Sequence, residues 1–577
     1  MIVGAKHATE TIVSRLSKAR GHGALGLILE LDLTEPVIDG VPRDPIGALV
    51  ARHRTALRVV LDGLRRASRD PRVQALVVKL GGSRSHMSMG RAQELRDAVS
   101  QLSASGKPTV AWAETFGELG RGSVPYYLAT AFDEVWLQPS GDVGLTGVAA
   151  EVPFLRGALD RAGITPQFAQ RLEYKNAANL FTERGFTEAH REATERLVES
   201  MMEQLVTGIA EGRRVDAAEV RALVDRAPLS AAKALESGLV DRLGYRDEVY
   251  AAVRDKAGSD AVLMYVGSYR RSRLAEVSRR LAPPRRDAVA LVDVTGPIHL
   301  GRSGRPPFIG ESAGSDTVCA ALRSATMADE VKAIVLRVVS PGGSYVASDA
   351  IWREVALARR AGTPVVVSMG DVAASGGYFV AMGADAIVAE PATITGSIGV
   401  VAGKQVFDGV AERFGVDHEG VAGADHGLMF SPLRPFTEDE WQHLNAWLDR
   451  IYDDFTAKVA DGRRLPAERV QEIARGRVWT GADALERGLV DELGGLGTAL
   501  SLATERAGMA PSVEPDVRAY PGMPTVARLR RARSSEDPAA ALGQVRFEAW
   551  GTLAGLAARL GLPAYGPLTV PGDLPFT

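Results

Sequence analysis

The chain has 577 residues, 46% of them hydrophobic and 24% charged, with a formal net charge of −3. That length gives room for about three to four domains with sizeable cores, and the near-neutral balance gives no electrostatic case for binding nucleic acid or an acidic substrate. A single cysteine, Cys319, excludes an intrachain disulfide and a cysteine-based metal site.

The start, Met1-Ile-Val-Gly-Ala-Lys-His, lacks the charged opening, apolar segment and cleavage site of a secretory signal. Nowhere do about 18 apolar residues run uninterrupted, as a membrane-spanning helix requires. The expectation is a cytoplasmic protein, or one peripheral to a membrane. In the first half, β-branched runs at Leu27–Leu31, Ala75–Val78 and Thr109–Trp112 predict buried strands, with a helix over Arg91–Leu102 crossing between them. In the second half the same order returns at Val289–Val294, Ala333–Val339 and Pro364–Met369, with a helix over Ala347–Arg360.

The return is literal. Phe132 to Pro139, followed by Gly144 and Gly147-Val148, recurs 252 residues later as Ala384 to Pro391, followed by Gly396 and Gly399-Val400. Gly163 matches Gly415 at the same offset, and Ala234 to Gly244 recurs as Ala484 to Gly494 at an offset of 250. Two matches in one register make the chain a tandem duplication. The fold expected is α/β, each half a mostly parallel buried sheet with crossing helices. The domain plan is a first repeat over 1–265, a linker over 266–287, a second repeat over 288–510 and a tail over 511–577. The linker carries seven arginines between Tyr269 and Arg286, and reads as a solvated helix, with contact to anionic lipid as the alternative. In the tail, Val545, Trp550, Leu553, Leu556 and Leu560 form a helical apolar stripe that would pack on the body or on a second subunit.

Chemistry concentrates at Asp371-Val-Ala-Ala-Ser375-Gly-Gly-Tyr-Phe-Val380. A strand, a tight turn at Ser375 and a helix start would expose a serine hydroxyl beside bare amides, as a nucleophile needs. Ser-Gly-Gly is also ordinary turn and helix-cap chemistry. The 252 offset sets Ser375 against Ser123, which is followed by Val124-Pro125 in place of Gly376-Gly377. Proline has no amide to donate and valine resists glycine's backbone conformations, so Ser123 reads as a relic. Upstream, Ser340-Pro-Gly342-Gly343-Ser344 is suited to presenting amides to an oxyanion, and Lys79-Leu-Gly81-Gly82-Ser83 is its shorter counterpart. For the base, His418 and His426 lie downstream in a polar, Gly-rich stretch. Lys175 lies among apolar and small residues, the setting that lowers a lysine toward neutrality. Opposite Lys175 in the second half stands Gly427, so a site using both groups would draw on both repeats.

In order and spacing, Ser340 to Ser344, Ala373 to Tyr378, and Pro391 to Gly399, with Tyr174-Lys175 before them and Arg477 to Gly481 after them, resemble signal peptide peptidase A. This is the long duplicated form also called protease IV, a serine peptidase with a Ser-Lys dyad, and the likeness covers roughly residues 24 to 510. The resemblance implies a fold related to the Clp peptidase and crotonase superfamily, assembled as a ring or dome, with a tetramer the expected homo-oligomer. It implies Ser375 as nucleophile, Lys175 as general base, and an oxyanion hole from Gly376 with Gly342 or Gly343. Peptides would be the substrates, short and largely apolar, with no metal or organic cofactor required. Two departures stand out: Asn176 and Asn179-Leu180 replace the family's small residue and proline after the lysine, and no N-terminal anchor is present. The alternatives are crotonase-like acyl-CoA chemistry, which shares the fold and an oxyanion hole, and a non-catalytic scaffold.

Overall fold

Runs of Val, Leu, Ile and Ala with no polar side are stable as strands only when both faces of their sheet are covered. The computed structural model describes residues 26–40, 55–81, 87–118, 120–258, 260–269, 287–304, 310–510, 515–520 and 568–569. The Arg-rich linker beyond Tyr269 and the helical pattern over 539–560 lie outside them. The chain forms two compact units, residues 1–147 with 203–283, and residues 148–202 with 284–577.

The first unit holds a six-stranded, all-parallel sheet in the order Arg242–Leu243, Glu134–Leu137, Thr109–Ala113, Val73–Leu80, Leu27–Asp32, Val262–Tyr265. Ile28, Ala75, Val77, Val110 and Trp112 share one buried face with Val249 and Val253 of the helix Arg246–Ala257.

The second unit repeats the plan. In its main sheet Ile394–Gly396, Val365–Ala374, Val331–Ser340, Ala288–Thr295 and Asp516–Tyr520 run parallel, Ala386–Ala389 also pairs with Val365–Ala374, and Val478–Thr480 joins Ile394–Gly396 antiparallel. The period-2 alternation sends Val289 and Leu291 against Leu496, Ala499 and Ala503 of one helix. Ala290, Val292 and Val294 face the core on the other side, with Val318, Ile351 and Phe455. The strand expected to end at Met369 runs on to Ala374. Beyond Ser368 it leaves Ala386–Ala389, and it takes Ile394–Gly396 as its new partner from Val372 onward, with a register shift against Val331–Ser340.

Duplication extends to single hydrogen bonds. Tyr126 Oη donates to Leu239 O at 2.7 Å, and Tyr378 Oη to Leu489 O at 2.9 Å. Asp241 accepts from the Val135 amide and Asp491 from the Ile387 amide, both at 2.7 Å. Packing nevertheless cuts across the repeat. Residues 148–202 belong by sequence to the first repeat but lie in the second unit, where Thr165–Gln170 pairs antiparallel with Val401–Val406 over six residues. No helix among the described residues is long and apolar enough to cross a membrane.

Candidate active site

Val365–Ala374 runs directly into Ser375, which has φ 55° and ψ −113°, and the helix Gly376–Ala381 starts at the next residue. A non-glycine residue held at such angles carries roughly 1–3 kcal/mol of strain. Neighbours hold it there: the Ser375 amide donates to Gly396 O at 2.8 Å. The glycines that follow are required by space. A Cβ on Gly376 would lie 2.8 Å from Ser348 Oγ and 3.0 Å from the Gly343 nitrogen, and one on Gly377 would lie 2.6 Å from Ser340 O.

Lys175 comes to this serine from the loop after Thr165–Gln170. Nζ lies 2.8 Å from Ser375 Oγ, 2.9 Å from Ser397 Oγ and 3.2 Å from Ser397 O. The loop is pinned at several points. The Arg171 amide donates to Val400 O and the Tyr174 amide to Arg475 O, while the Arg171 guanidinium bonds Asn445 and Asp449 of the helix Glu438–Arg463. Gly476 packs so closely that a Cβ there would fall 2.5 Å from Lys175 Cβ, and one on Gly399 would fall 3.3 Å from Lys175 Cδ.

Lys175 is 1% exposed, and burial pushes its ammonium down to about 7. Its polar partners fit the neutral amine. An amine has two N–H groups and one lone pair; Ser397 offers two acceptors, the carbonyl and the hydroxyl, leaving the lone pair for the Ser375 hydroxyl. Ser397 is itself buried at φ 50°, with its amide on Arg477 O at 2.7 Å and its hydroxyl donating to Gly476 O at 3.4 Å. Its contact with the lysine is the part of the site that sequence reasoning missed. The only signal was its place in Gly396-Ser397-Ile398-Gly399, and that spacing does not name a partner 222 residues away.

Gly342 and Gly343 have φ 98° and 151° and reach the residue after the nucleophile. The Gly342 amide donates to Ser340 Oγ at 3.1 Å. The Ser344 amide donates to Ile298 O at 2.8 Å, so the alternation of a strand turns the Gly343 amide to the opposite edge.

The other sequence candidates are engaged elsewhere. His426 Nε2 pairs with Asp439 Oδ2 at 2.8 Å. His418 lies exposed on an open cleft of about 560 Å³ that Asp160, Asp408 and Asp417 also line. Ser123 starts the helix Ser123–Ala129, and its hydroxyl accepts from the Gly147 amide at 2.9 Å. Gly147 is the residue that the repeat sets against Gly399, which packs on Lys175. Asn176 opens a short 3₁₀ turn, and Asn179 is buried with its amide nitrogen 3.4 Å from Thr187 Oγ1.

The sequence model of Peptidase family S49 matches residues 101–260 and 357–510. Protease 4 of Haemophilus influenzae is 32% identical over 481 residues, covering 80% of this chain and 74% of that protein. Protease 4 of Salmonella typhi is 31% identical over 511 residues, covering 85% and 79%. The chloroplastic serine protease SPPA of Arabidopsis thaliana is 30% identical over 445 residues, and the match spans 77% of this chain but 64% of the plant protein. The chain belongs to peptidase family S49, and is a serine-type peptidase.

Proposed function

We propose that this peptidase is an endopeptidase that cuts short, largely apolar peptides with Ser375 as nucleophile and Lys175 as general base. The observation that carries the reading is the 2.8 Å contact between the buried Lys175 amine and the Ser375 hydroxyl. As Ser375 Oγ attacks the scissile carbonyl, its proton passes to Nζ, and Ser397 holds the amine in line through both stages. The Gly376 amide, with that of Gly343, receives the oxyanion; Gly342 is the weaker choice because its amide is already bonded to Ser340. The lysinium gives its proton to the leaving amine, and the neutral amine then activates water against the acyl-enzyme.

The same proposal divides the chain into a first repeat at 1–265 supplying the lysine, a linker at 266–287, a second repeat at 288–510 supplying the serine and a tail at 511–577. It includes a homo-oligomer, a tetramer by resemblance, working in the cytoplasm or against a membrane surface. Sedimentation of the purified protein reads the subunit number. Hydrolysis of a fluorogenic apolar peptide panel tests the activity. Turnover that survives Ser375→Ala contradicts the reading, and turnover of acyl-CoA thioesters without peptide hydrolysis moves it to the crotonase-like alternative.

A further inference from the structure

Asp439 and His443 stand four residues apart near the start of the helix Glu438–Arg463, a spacing that puts both side chains on one face. His426 reaches the same spot from the loop before that helix. Its Nε2 lies 2.8 Å from Asp439 Oδ2, while His443 Nδ1 lies 3.5 Å from that oxygen and 2.9 Å from the Asp439 carbonyl. The two imidazoles meet edge to face with centroids 4.4 Å apart. One ligand atom from each of the three residues falls within 4.8 Å of the other two. A zinc ion with bonds of about 2.0–2.2 Å holds tetrahedral neighbours roughly 3.3–3.5 Å apart. The distances to Oδ2 bracket that spacing, and Asp439 and His443 are exposed and His426 half-buried, which leaves the side chains room to close on an ion.

An ion pair between His426 and Asp439 needs no second imidazole beside it, whereas a metal site uses all three groups. Local charge points the same way. Glu438 and Asp439 open the helix and Asp425 precedes His426, carboxylates that offset the partial positive charge of the helix start and favour a cation. Two imidazoles and one carboxylate suit zinc, whereas magnesium and calcium take oxygen ligands. Residues 412–425 are exposed without a break, so an ion on His426 would fasten the end of that run to the helix. The same helix bonds Arg171 of the Lys175 loop through Asn445 and Asp449.

We propose that His426, Asp439 and His443 form a divalent-metal site, suited to Zn²⁺ with water as the fourth ligand, that clamps the exposed run 412–425 to the helix Glu438–Arg463. Exposure supplies the entry path that such a site needs.

The test is calorimetric titration of ZnCl₂ into tag-free full-length protein stripped with EDTA and dialysed. The expected result is one Zn²⁺ per chain, bound at least about tenfold more weakly by His426→Ala and by His443→Ala, with His418→Ala like the wild type and no binding of Mg²⁺ at the same concentration. Co²⁺ should give the strong visible absorption of a tetrahedral site in the wild type, a reading that depends on no variant's folding. Zn²⁺ should also slow cleavage after Glu419 by a glutamate-specific protease in the wild type and not in His426→Ala. No Zn²⁺ binding, no tetrahedral Co²⁺ spectrum, or Zn²⁺ bound equally well by the double variant His426→Ala/His443→Ala overturns the site. Binding at these residues with unchanged cleavage after Glu419 overturns the clamp.

Discussion

At the scale of the residue, Lys175 sheds its proton around pH 7. Burial lowers its folded pKa to about 7 from an ordinary 10.5, and the base must be unprotonated to accept the Ser375 proton. kcat/KM should therefore climb about tenfold per pH unit below 7 and flatten above it, measured from pH 5 to 9. Stability carries the same sign. Between about pH 7 and 10.5 the unfolded chain binds the proton that the folded chain does not, so this group makes stability rise with pH across that window. Lys175→Met in a Ser375→Ala background removes that slope: its gain in melting temperature over the parent should be larger at pH 7 than at pH 10, and an equal gain at both would contradict the depressed pKa. Gly476→Ala places a methyl 2.5 Å from Lys175 Cβ at a φ of +81°. Overpacking of this kind costs about 1–3 kcal/mol, and activity measured at a temperature where the variant is still folded should fall at least tenfold as the amine is displaced from Ser375.

At the scale of the element, the site is a strand, one strained serine and a helix, clamped by the tyrosine that the helix carries. Tyr378 is fully buried and bonds Leu489 O. Tyr378→Phe leaves that carbonyl unpaired and should cost about 1–3 kcal/mol in urea unfolding, with Tyr126→Phe costing a similar amount through Leu239. Much of this level was legible in the sequence. Runs such as Val289–Val294 and Ala333–Val339 fall inside the strands Ala288–Thr295 and Val331–Ser340, because a fully buried parallel strand has a composition of its own. The extension of the nucleophile strand to Ala374 was not, because it comes from a change of partner strand, and pairing is not written into a local run. Ser375 was legible through its glycines and through what the other repeat lost at Val124-Pro125. Lys175 stood out by its apolar setting and by resemblance, whereas Ser397 stayed hidden because its partner is distant in sequence and only the fold joins them.

At the scale of the whole molecule, duplication supplied two copies of one plan, and the copies have diverged in chemistry while keeping the same structural bonds. In the first, the Ser123 hydroxyl is spent on the Gly147 amide; in the second, Ser375 faces an amine. That amine reaches the serine because residues 148–202, first-repeat by sequence, pack into the second unit. On the proposed reading each chain works through Ser375 alone, and Ser123→Ala should leave kcat/KM within about twofold while lowering stability by about 1 kcal/mol for the lost hydrogen bond. The decisive measurement is the hydrolysis of one fluorogenic apolar peptide at pH 8 by the wild type and by Lys175→Ala, each checked for wild-type circular dichroism and sedimentation. Loss of the base should lower kcat/KM by at least about a thousandfold, of the order seen when a member of a catalytic constellation is removed. A folded Lys175→Ala protein that keeps activity within tenfold of wild type would show that the proton of Ser375 goes elsewhere.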